Sequence, residues 1–195
     1  MPKRITIIEG HPDVSRERFG HALANAYATG AAKGRHEVRH IAVGSLDFGV
    51  LRTREEWENG APANGIRQAQ QDIAWADHLV ILYPLWLGTM PALLKAFFEQ
   101  VFRPGFAIGK SDGGKGWSKQ LKGKSARIVV TMGMPAFLYR WYFGAHSLKS
   151  LERNILGFVG IGPIRTSLIG MVETMNDAKR TRWLEKLRAL GRGGR

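Results

Sequence analysis

The residue types in segment 10–19 suit the binding of a phosphate group. The segment carries His11, Ser15, Arg16 and Arg18 directly before an apolar pattern of helical spacing. A helix N-terminus offers free N–H groups and a partial positive charge, to which a hydroxyl and a guanidinium group would add donors. The alternative is that Ser15 is an ordinary N-cap and that the two arginines face water.

Segment 84–91 suits a planar heterocycle that hydrogen-bonds to the main chain. Pro84 and Pro91 bound the segment, and Gly88 permits a ligand to approach the backbone closely. Trp86 offers a flat apolar surface beside it. A buried tryptophan in an ordinary strand-to-helix turn would have the same composition, and composition alone does not separate these two interpretations.

A third segment, 131–135, could line the other edge of the same ligand. It consists of Thr131, Met132, Gly133, Met134 and Pro135, and Tyr139 and His146 follow it. Taken alone, Tyr139 would more often be a packed aromatic residue and His146 a surface residue.

The elements predicted around these segments alternate between strand and helix. Short apolar runs rich in β-branched residues predict strands near 5–8, 36–43, 77–83, 126–131 and 164–168. Apolar residues at helical spacing predict helices between the strands, most clearly over 90–102, and place Ser15 as the N-cap of the first helix. Segments 44–65, 103–123 and 137–143 are predicted as loops.

This alternation predicts one α/β domain over residues 1–195, with 191–195 as a flexible tail. Right-handed crossovers favour a flavodoxin-like, five-stranded parallel sheet of order 2-1-3-4-5, with helices on both faces. In such sheets ligands bind beyond the carboxyl ends of the strands, where the strand order reverses. The three segments fall at that place.

The composition excludes several classes of site. The 195 residues include no cysteine, which excludes a disulfide framework, a thiolate nucleophile and a Cys-based metal centre, and no metal site is predicted. We find neither a signal peptide nor an apolar run long enough to span a membrane, so a cytoplasmic protein is expected. The net charge of +13 would suit nucleic acid, but zinc-finger spacing and aromatic RNA-binding signatures are missing, so nucleic acid is not expected as the main partner.

Several stretches together carry a resemblance to a known family. They are 75–86, 90–95, 101–107, the opening Gly10-His11-Pro12-Asp13, and Leu121-Lys122-Gly123-Lys124. In these the sequence resembles the NAD(P)H:quinone oxidoreductases of flavodoxin-like fold, the DT-diaphorase type and its bacterial relatives. The resemblance implies bound FMN, or else FAD, with NAD(P)H as co-substrate and a quinone or similar small molecule as acceptor. It also implies a homodimer, for which 137–143 and 44–65 are the candidate contacts.

The resemblance also assigns roles to individual residues. The phosphate and ribityl end of the flavin would lie on His11, Ser15, Arg18 and Phe19. The ring would lie on Pro84, Leu85, Trp86, Leu87 and Gly88, and Thr131, Met132 and Gly133 would complete the cradle. Tyr139 and His146 match residues that accompany hydride transfer in some relatives. Leu87 stands where many relatives carry a second aromatic residue.

Two other functions stay open at this point. One is the flavin-dependent reduction of nitro or azo compounds. The other is a regulatory role, in which the protein binds flavin and nicotinamide as an accessory subunit of a membrane transporter. In the enzymatic case the resemblance implies a ping-pong mechanism, in which nicotinamide and acceptor use the same face of the flavin in turn.

Overall fold

The computed structural model describes residues 1–15, 17–110 and 116–195. The strands are β1 (Arg4–Glu9), β2 (Glu37–Ala42), β3 (His78–Pro84), β4 (Ile108–Lys110), β5 (Trp117–Lys119), β6 (Ser125–Thr131) and β7 (Ile164–Ile169). Five of them form a parallel sheet in the order β2-β1-β3-β6-β7, while β4 and β5 form a separate antiparallel hairpin. Without that hairpin the order is the predicted one, and the flavodoxin-like α/β fold is confirmed.

Helices connect the strands and cover both faces of the sheet. They are α1 (Phe19–Lys33), α2 (Arg54–Asn59), α3 (Asn64–Trp75), α4 (Ala92–Val101), α5 (Ala136–Trp141), α6 (His146–Ser150), α7 (Gly157–Val159) and α8 (Asp177–Arg192). A π-helical turn, Leu151–Leu156, joins α6 to α7, and a 3-10 turn, Val43–Ser45, follows β2. Across the described parts of the chain, no helix has both the length and the apolar character needed to cross a bilayer.

The alternation of side chains along the strands divides the core into two layers. On one face of the sheet, Ile8 packs in a cluster with Phe97 of α4. On the other face, Ile7 packs in a cluster with Leu23 of α1 and Leu187 of α8. Successive residues of a strand point to opposite faces, so a continuous apolar run buries both sides of a parallel sheet.

Helices α1 and α8 approach each other at two glycines. A β-carbon at Gly30 would lie 2.0 Å from the Arg188 carbonyl oxygen, and one at Gly191 would lie 2.1 Å from the Tyr27 carbonyl oxygen. Only glycine allows this separation. Gly191 also begins segment 191–195, which was predicted as a flexible tail. The structure places 191–192 inside α8, and Lys3 Nζ donates a hydrogen bond to the Gly194 carbonyl at 2.7 Å.

The three segments predicted as loops contain regular structure, and these predictions were wrong in that respect. Within 44–65, Thr53 caps α2 by accepting a hydrogen bond from Glu56 N at 3.1 Å. Within 103–123, strands β4 and β5 pair as a hairpin. Residues 111–115, between the two strands, lie outside the described residues. Segment 137–143 is mostly helix α5, which starts directly after Pro135. Proline suits a helix start because the first N–H groups of a helix have no partner within it, so the absence of an N–H costs nothing there.

Candidate active site

The carboxyl ends of β1, β3 and β6 bring the three segments together. Gly10 N donates to the Leu82 carbonyl at 2.7 Å, and Leu85 N donates to the Thr131 carbonyl at 2.7 Å. These bonds continue the pairing of the strands into the loops that follow them. Between the loops lies a narrow cleft of about 10 Å³, lined by Glu9, His11, Gly20, His21, Leu82, Tyr83, Pro84 and Thr131.

The loop after β1 forms a set of donors around the carboxylate of Asp13. Ser15 N donates to Oδ1 at 2.8 Å, and Arg18 donates to Oδ2 through Nε at 2.7 Å and Nη2 at 2.6 Å. The Ser15 N–H and then the Arg18 guanidinium hold the pKa of Asp13 at about 2. A backbone N–H and a guanidinium group converging on one oxyanion would bind a phosphate in the same way, so the donor set fits the phosphate end of a flavin.

Ser15 does not act as the predicted helix cap. Helix α1 begins at Phe19 with Arg18 in the N-cap position, and Arg18 makes no side-chain capping bond. The reason is that the Asp13 carboxylate accepts the hydrogen bond of the backbone N–H in this turn, as aspartate commonly does. Arg16, the other cation considered for this end of the ligand, lies outside the described residues.

Beneath this loop, Glu9 and His21 form a pair that the sequence analysis missed. His21 Nδ1 lies 2.6 Å from Glu9 Oε2, and its Nε2 lies 3.0 Å from the Asp13 carbonyl oxygen. His40 Nδ1 lies 3.3 Å from Glu9 Oε1. Both neighbours of the His21 ring are acceptors, so both ring nitrogens can donate only in the protonated form.

The pKa shifts agree with a charged His21. Burial disfavours the imidazolium, but the bonds to Glu9 and to the Asp13 carbonyl outweigh it and raise the pKa of His21 above its ordinary value. Burial likewise raises the pKa of Glu9, while hydrogen bonds from His40 and His21 outweigh it and lower that pKa overall. The loop that would receive a phosphate is therefore bonded to a His21 imidazolium, whose charge is balanced by the Glu9 carboxylate 2.6 Å away.

The loop after β3 is a tight two-residue turn. Trp86 N donates to the Thr89 carbonyl at 2.8 Å, and Thr89 N donates to the Trp86 carbonyl at 3.0 Å. The two residues between them, Leu87 and Gly88, have φ values of 46° and 78°, which is the pattern of a type I′ turn. Leu87 is fully exposed and Trp86 is 47% exposed, so the turn presents its backbone and an indole face outward.

The loop after β6 is held by main-chain bonds to the neighbouring segment. Met132 N donates to the Ile169 carbonyl at 2.9 Å, and the Met132 carbonyl accepts from Val172 N at 3.2 Å. Thr131 and Met132 are buried, whereas Gly133 is exposed. Of the predicted cradle on this side, Thr131 lines the cleft and Gly133 is open to a ligand, while the Met132 side chain belongs to the core.

Tyr139 and His146, the predicted catalytic residues, lie in different surroundings. Tyr139 is 2% exposed, and its hydroxyl accepts a hydrogen bond from Leu148 N at 3.2 Å. His146 is exposed at the first position of α6, next to Ser147, whose hydroxyl donates to Thr89 Oγ1 at 3.0 Å. The start of α6 therefore adjoins the turn after β3, and Tyr139 supports that helix from within the core.

Two further predicted residues point away from the cleft. The ring of Phe19 packs in the cluster between α1 and α8, with the Arg180 guanidinium carbon 5.1 Å from its centroid. Leu85 packs against the core on the other face of the sheet. The spacing of apolar residues indicates that a side chain is buried but not which element covers it. The sequence therefore could not show that Phe19 and Leu85 lie in the core and not in the cleft.

Comparisons with known proteins agree with this architecture. A family model described as flavodoxin-like fold matches residues 3–190. An uncharacterized NAD(P)H oxidoreductase of Haemophilus influenzae is 28% identical over 183 residues, covering 92% of this chain and 89% of the relative. The ribosyldihydronicotinamide dehydrogenase [quinone] of Mus musculus is 32% identical over 155 residues, and the match covers 72% of this chain but only 63% of that enzyme.

A solved structure has the same overall fold. The NAD(P)H:quinone oxidoreductase of Methanothermobacter marburgensis superposes with a TM-score of 0.79 at 22% identity, and the match covers 98% of each chain.

Proposed function

The chain belongs to the flavodoxin-like family of NAD(P)H:quinone oxidoreductases, and from this we propose that it passes hydride from NADH or NADPH, by way of bound FMN, to a quinone or similar small acceptor. The observation that supports it most is the convergence of an oxyanion-binding loop and an exposed aromatic turn at one end of the sheet. Ligands of such sheets bind at that end.

Named residues would hold the FMN. Arg18 and the Ser15 N–H would hold its phosphate, taking the place of the Asp13 carboxylate. His21, whose Nε2 bonds the Asp13 main-chain carbonyl, would hold this loop from beneath. The type I′ turn with Trp86 would lie against the ring, and Thr131 and Gly133 would line its other edge. When bound, the flavin supplies the two-electron chemistry of hydride acceptance and delivery.

The chain's own residues position the reactants and limit water. The Trp86 indole, which is 47% exposed and in edge contact with His11, would cover one side of the bound ring and reduce its contact with solvent. Tyr139 acts as a positioning residue, since its hydroxyl is bonded to Leu148 N and fixes the start of α6. His146, exposed at that start, is the residue that would face the acceptor.

We also propose a homodimer whose contacts include segment 137–143. Trp141 is 80% exposed and Phe143 is 47% exposed, which is unusual for large apolar side chains on one short segment. Trp141→Asp should shift the protein towards monomer in gel filtration with light scattering. Trp117→Asp, at an indole outside the segment that is 51% exposed, is the control; equal elution of wild type and Trp141→Asp would refute this contact.

Steady-state kinetics test the activity. The FMN-loaded protein is supplied with NADH or NADPH and with menadione, an azo dye and a nitroaromatic compound in separate reactions. The proposal predicts the highest kcat/KM for the quinone, whereas a higher value for the azo or nitro compound would assign the alternative reductase function. Tight FMN binding with almost no turnover on any acceptor would favour the regulatory role instead.

A further inference from the structure

A second cavity, of about 580 Å³, lies between α5, β7 and α8, and it is called the β7 cavity below. Strand β7 is at the edge of the sheet, paired only with β6. The cavity shares no lining residue with the cleft of the candidate active site. Its lining is Arg127, Ala136, Phe137, Arg140, Trp141, Thr166, Ser167, Leu168, Trp183, Lys186 and Leu190.

The floor of the β7 cavity holds a buried cation. Arg127 is only 5% exposed, and Nη1 donates to the Ser167 hydroxyl at 2.9 Å, while Nε has no hydrogen-bond partner among the residues that the structure describes. None of the ion pairs found among the described residues includes Arg127. A buried charge without a counter-charge is costly, because its hydration is lost and nothing replaces it.

The surroundings of Arg127 increase the positive charge rather than neutralise it. Arg140 of α5 and Lys186 of α8 line the cavity with it, and no carboxylate does so within the described parts of the chain. An adjoining depression of about 680 Å³ adds Lys179 and Arg182. Burial is the main cause that lowers the pKa of Arg127; Arg165 and Arg195 lower it further, while Tyr27 acts in the opposite direction without overcoming them. The charges that line the cavity therefore favour the binding of an anion.

The walls of the cavity are aromatic. Trp183 of α8 and Phe137 and Trp141 of α5 all line the cavity. Phe137 and Trp141 belong to the segment proposed above as the dimer contact, so the wall that stays available to a ligand is Trp183 of α8, with the Lys186 ammonium 4.4 Å from its ring centroid. Flat apolar side chains beside cations suit a ligand that combines a planar ring with a negative charge.

We propose that the β7 cavity binds a small phosphate ester of a planar heterocycle, of the nucleoside monophosphate class. Arg127 and Ser167 would bind the phosphate at the floor, with Arg140 and Lys186 at the rim. The ring would stack on Trp183. Because Arg127 is only 5% exposed, its guanidinium group suits the terminal phosphate of a small molecule better than the side of an extended chain.

Isothermal titration calorimetry of the FMN-loaded protein tests this, with AMP, adenosine and inorganic phosphate as separate titrants. AMP should bind more tightly than phosphate, and adenosine should bind weakest, because only AMP uses both floor and walls. Equal affinity for AMP and phosphate would mean that the aromatic residues do not bind the ring, and it would overturn that part of the proposal. Failure of both to bind at millimolar concentration would overturn the site.

Two variants locate the binding in the β7 cavity. Arg127→Met and Lys186→Glu should each weaken AMP binding by about tenfold or more, as expected for loss of a charged hydrogen bond. Arg188→Met removes an exposed cation of α8 that does not line the cavity, and it should bind AMP like wild type. Trp86→Ala, titrated in FMN at saturating concentration, should also bind AMP like wild type, which separates this site from the candidate active site. Unchanged AMP affinity in Arg127→Met and Lys186→Glu would refute the proposal.

The stability of Arg127→Met gives an independent readout. Without ligand, this variant should melt at or above the temperature of wild type, because methionine removes an uncompensated buried charge. AMP should raise the melting temperature of wild type but not that of Arg127→Met. A large loss of stability in the ligand-free variant would mean that Arg127 is already compensated within the fold, and that would contradict the inference.

Discussion

The imidazole ring of His11 stands edge-on to the indole of Trp86, with ring centroids 5.7 Å apart and ring planes at 82°. This contact joins the loop after β1 to the turn after β3, although 75 positions separate the two residues in the sequence. His11 also lies 5.8 Å from the ring of His21, which reaches the Glu9 carboxylate. The phosphate end and the ring end of the proposed FMN site are therefore connected through one histidine.

Replacing Trp86 by alanine should weaken FMN binding by up to about tenfold, because the indole supplies a stacking surface and a partner for His11. Quenching of flavin fluorescence during titration measures this change. Trp117→Ala removes an indole that is 51% exposed on the β4–β5 hairpin and should leave the affinity unchanged. If both variants bind FMN like wild type, the ring does not lie on the turn.

Asp13→Asn should raise the affinity for FMN by about two- to fivefold and leave that for riboflavin unchanged. The carboxylate competes with the phosphate for Arg18 and the Ser15 N–H, and riboflavin has no phosphate to benefit. Asp77→Asn is a matched control, since Asp77 is also an exposed aspartate paired with an arginine, Arg4 at 2.8 Å. Weaker FMN binding in Asp13→Asn would contradict the assignment of this loop.

Leu87→Gly should stabilise the protein by about 1 kcal/mol. Leu87 has a φ of 46°, which is unfavourable for an L-residue, and its fully exposed side chain has no packing to lose. Gly88→Ala, at a φ of 78°, should have the opposite effect. Chemical denaturation measures both. A loss of stability in Leu87→Gly would show that the leucine side chain makes a contact, for example in a dimer.

The stability of the protein should fall as the pH drops from 6.5 towards 4. Burial lowers the pKa of His78 from 6.5 to about 4, and its Nδ1 lies 2.8 Å from the Ser125 hydroxyl. Between these two pH values the unfolded chain binds a proton at His78 that the folded state excludes. The contribution of neutral His78 to the free energy of unfolding is therefore complete above pH 6.5 and is lost progressively as the pH falls towards 4. The expected loss is about 3 kcal/mol.

Denaturation of wild type and His78→Gln at several pH values measures this effect. The glutamine cannot titrate, so the part of the slope that belongs to His78 should disappear. An identical pH dependence in both proteins would mean that His78 is not the responsible group.

The sheet and its order could be predicted because strands of β-branched residues and alternating helices leave few topologies open. The short helix α2 was missed although Thr53 and Glu56 have the spacing of a capping box, which was the available signal. The meeting of the three segments at one end of the sheet could also be predicted, since the loops after parallel strands at a switch point lie together there.

Other features of the site depend on long-range register and could not be predicted. The Glu9, His21 and His40 cluster joins a strand end, a helix and a neighbouring strand. Glu9 alone offered a signal, because it is a charged residue at the carboxyl end of a buried strand. The burial of Tyr139 depends on how α5 and α6 pack, which the sequence pattern does not specify.

The absorbance spectrum of the purified protein, before and after anaerobic addition of NADPH or NADH, tests the central claim most directly. We expect the visible bands of oxidised flavin, their loss on addition of the nicotinamide, and their return when a quinone is added. Chromatography of the released cofactor should identify FMN. A colourless protein that binds neither FMN nor FAD on titration would contradict the proposed function.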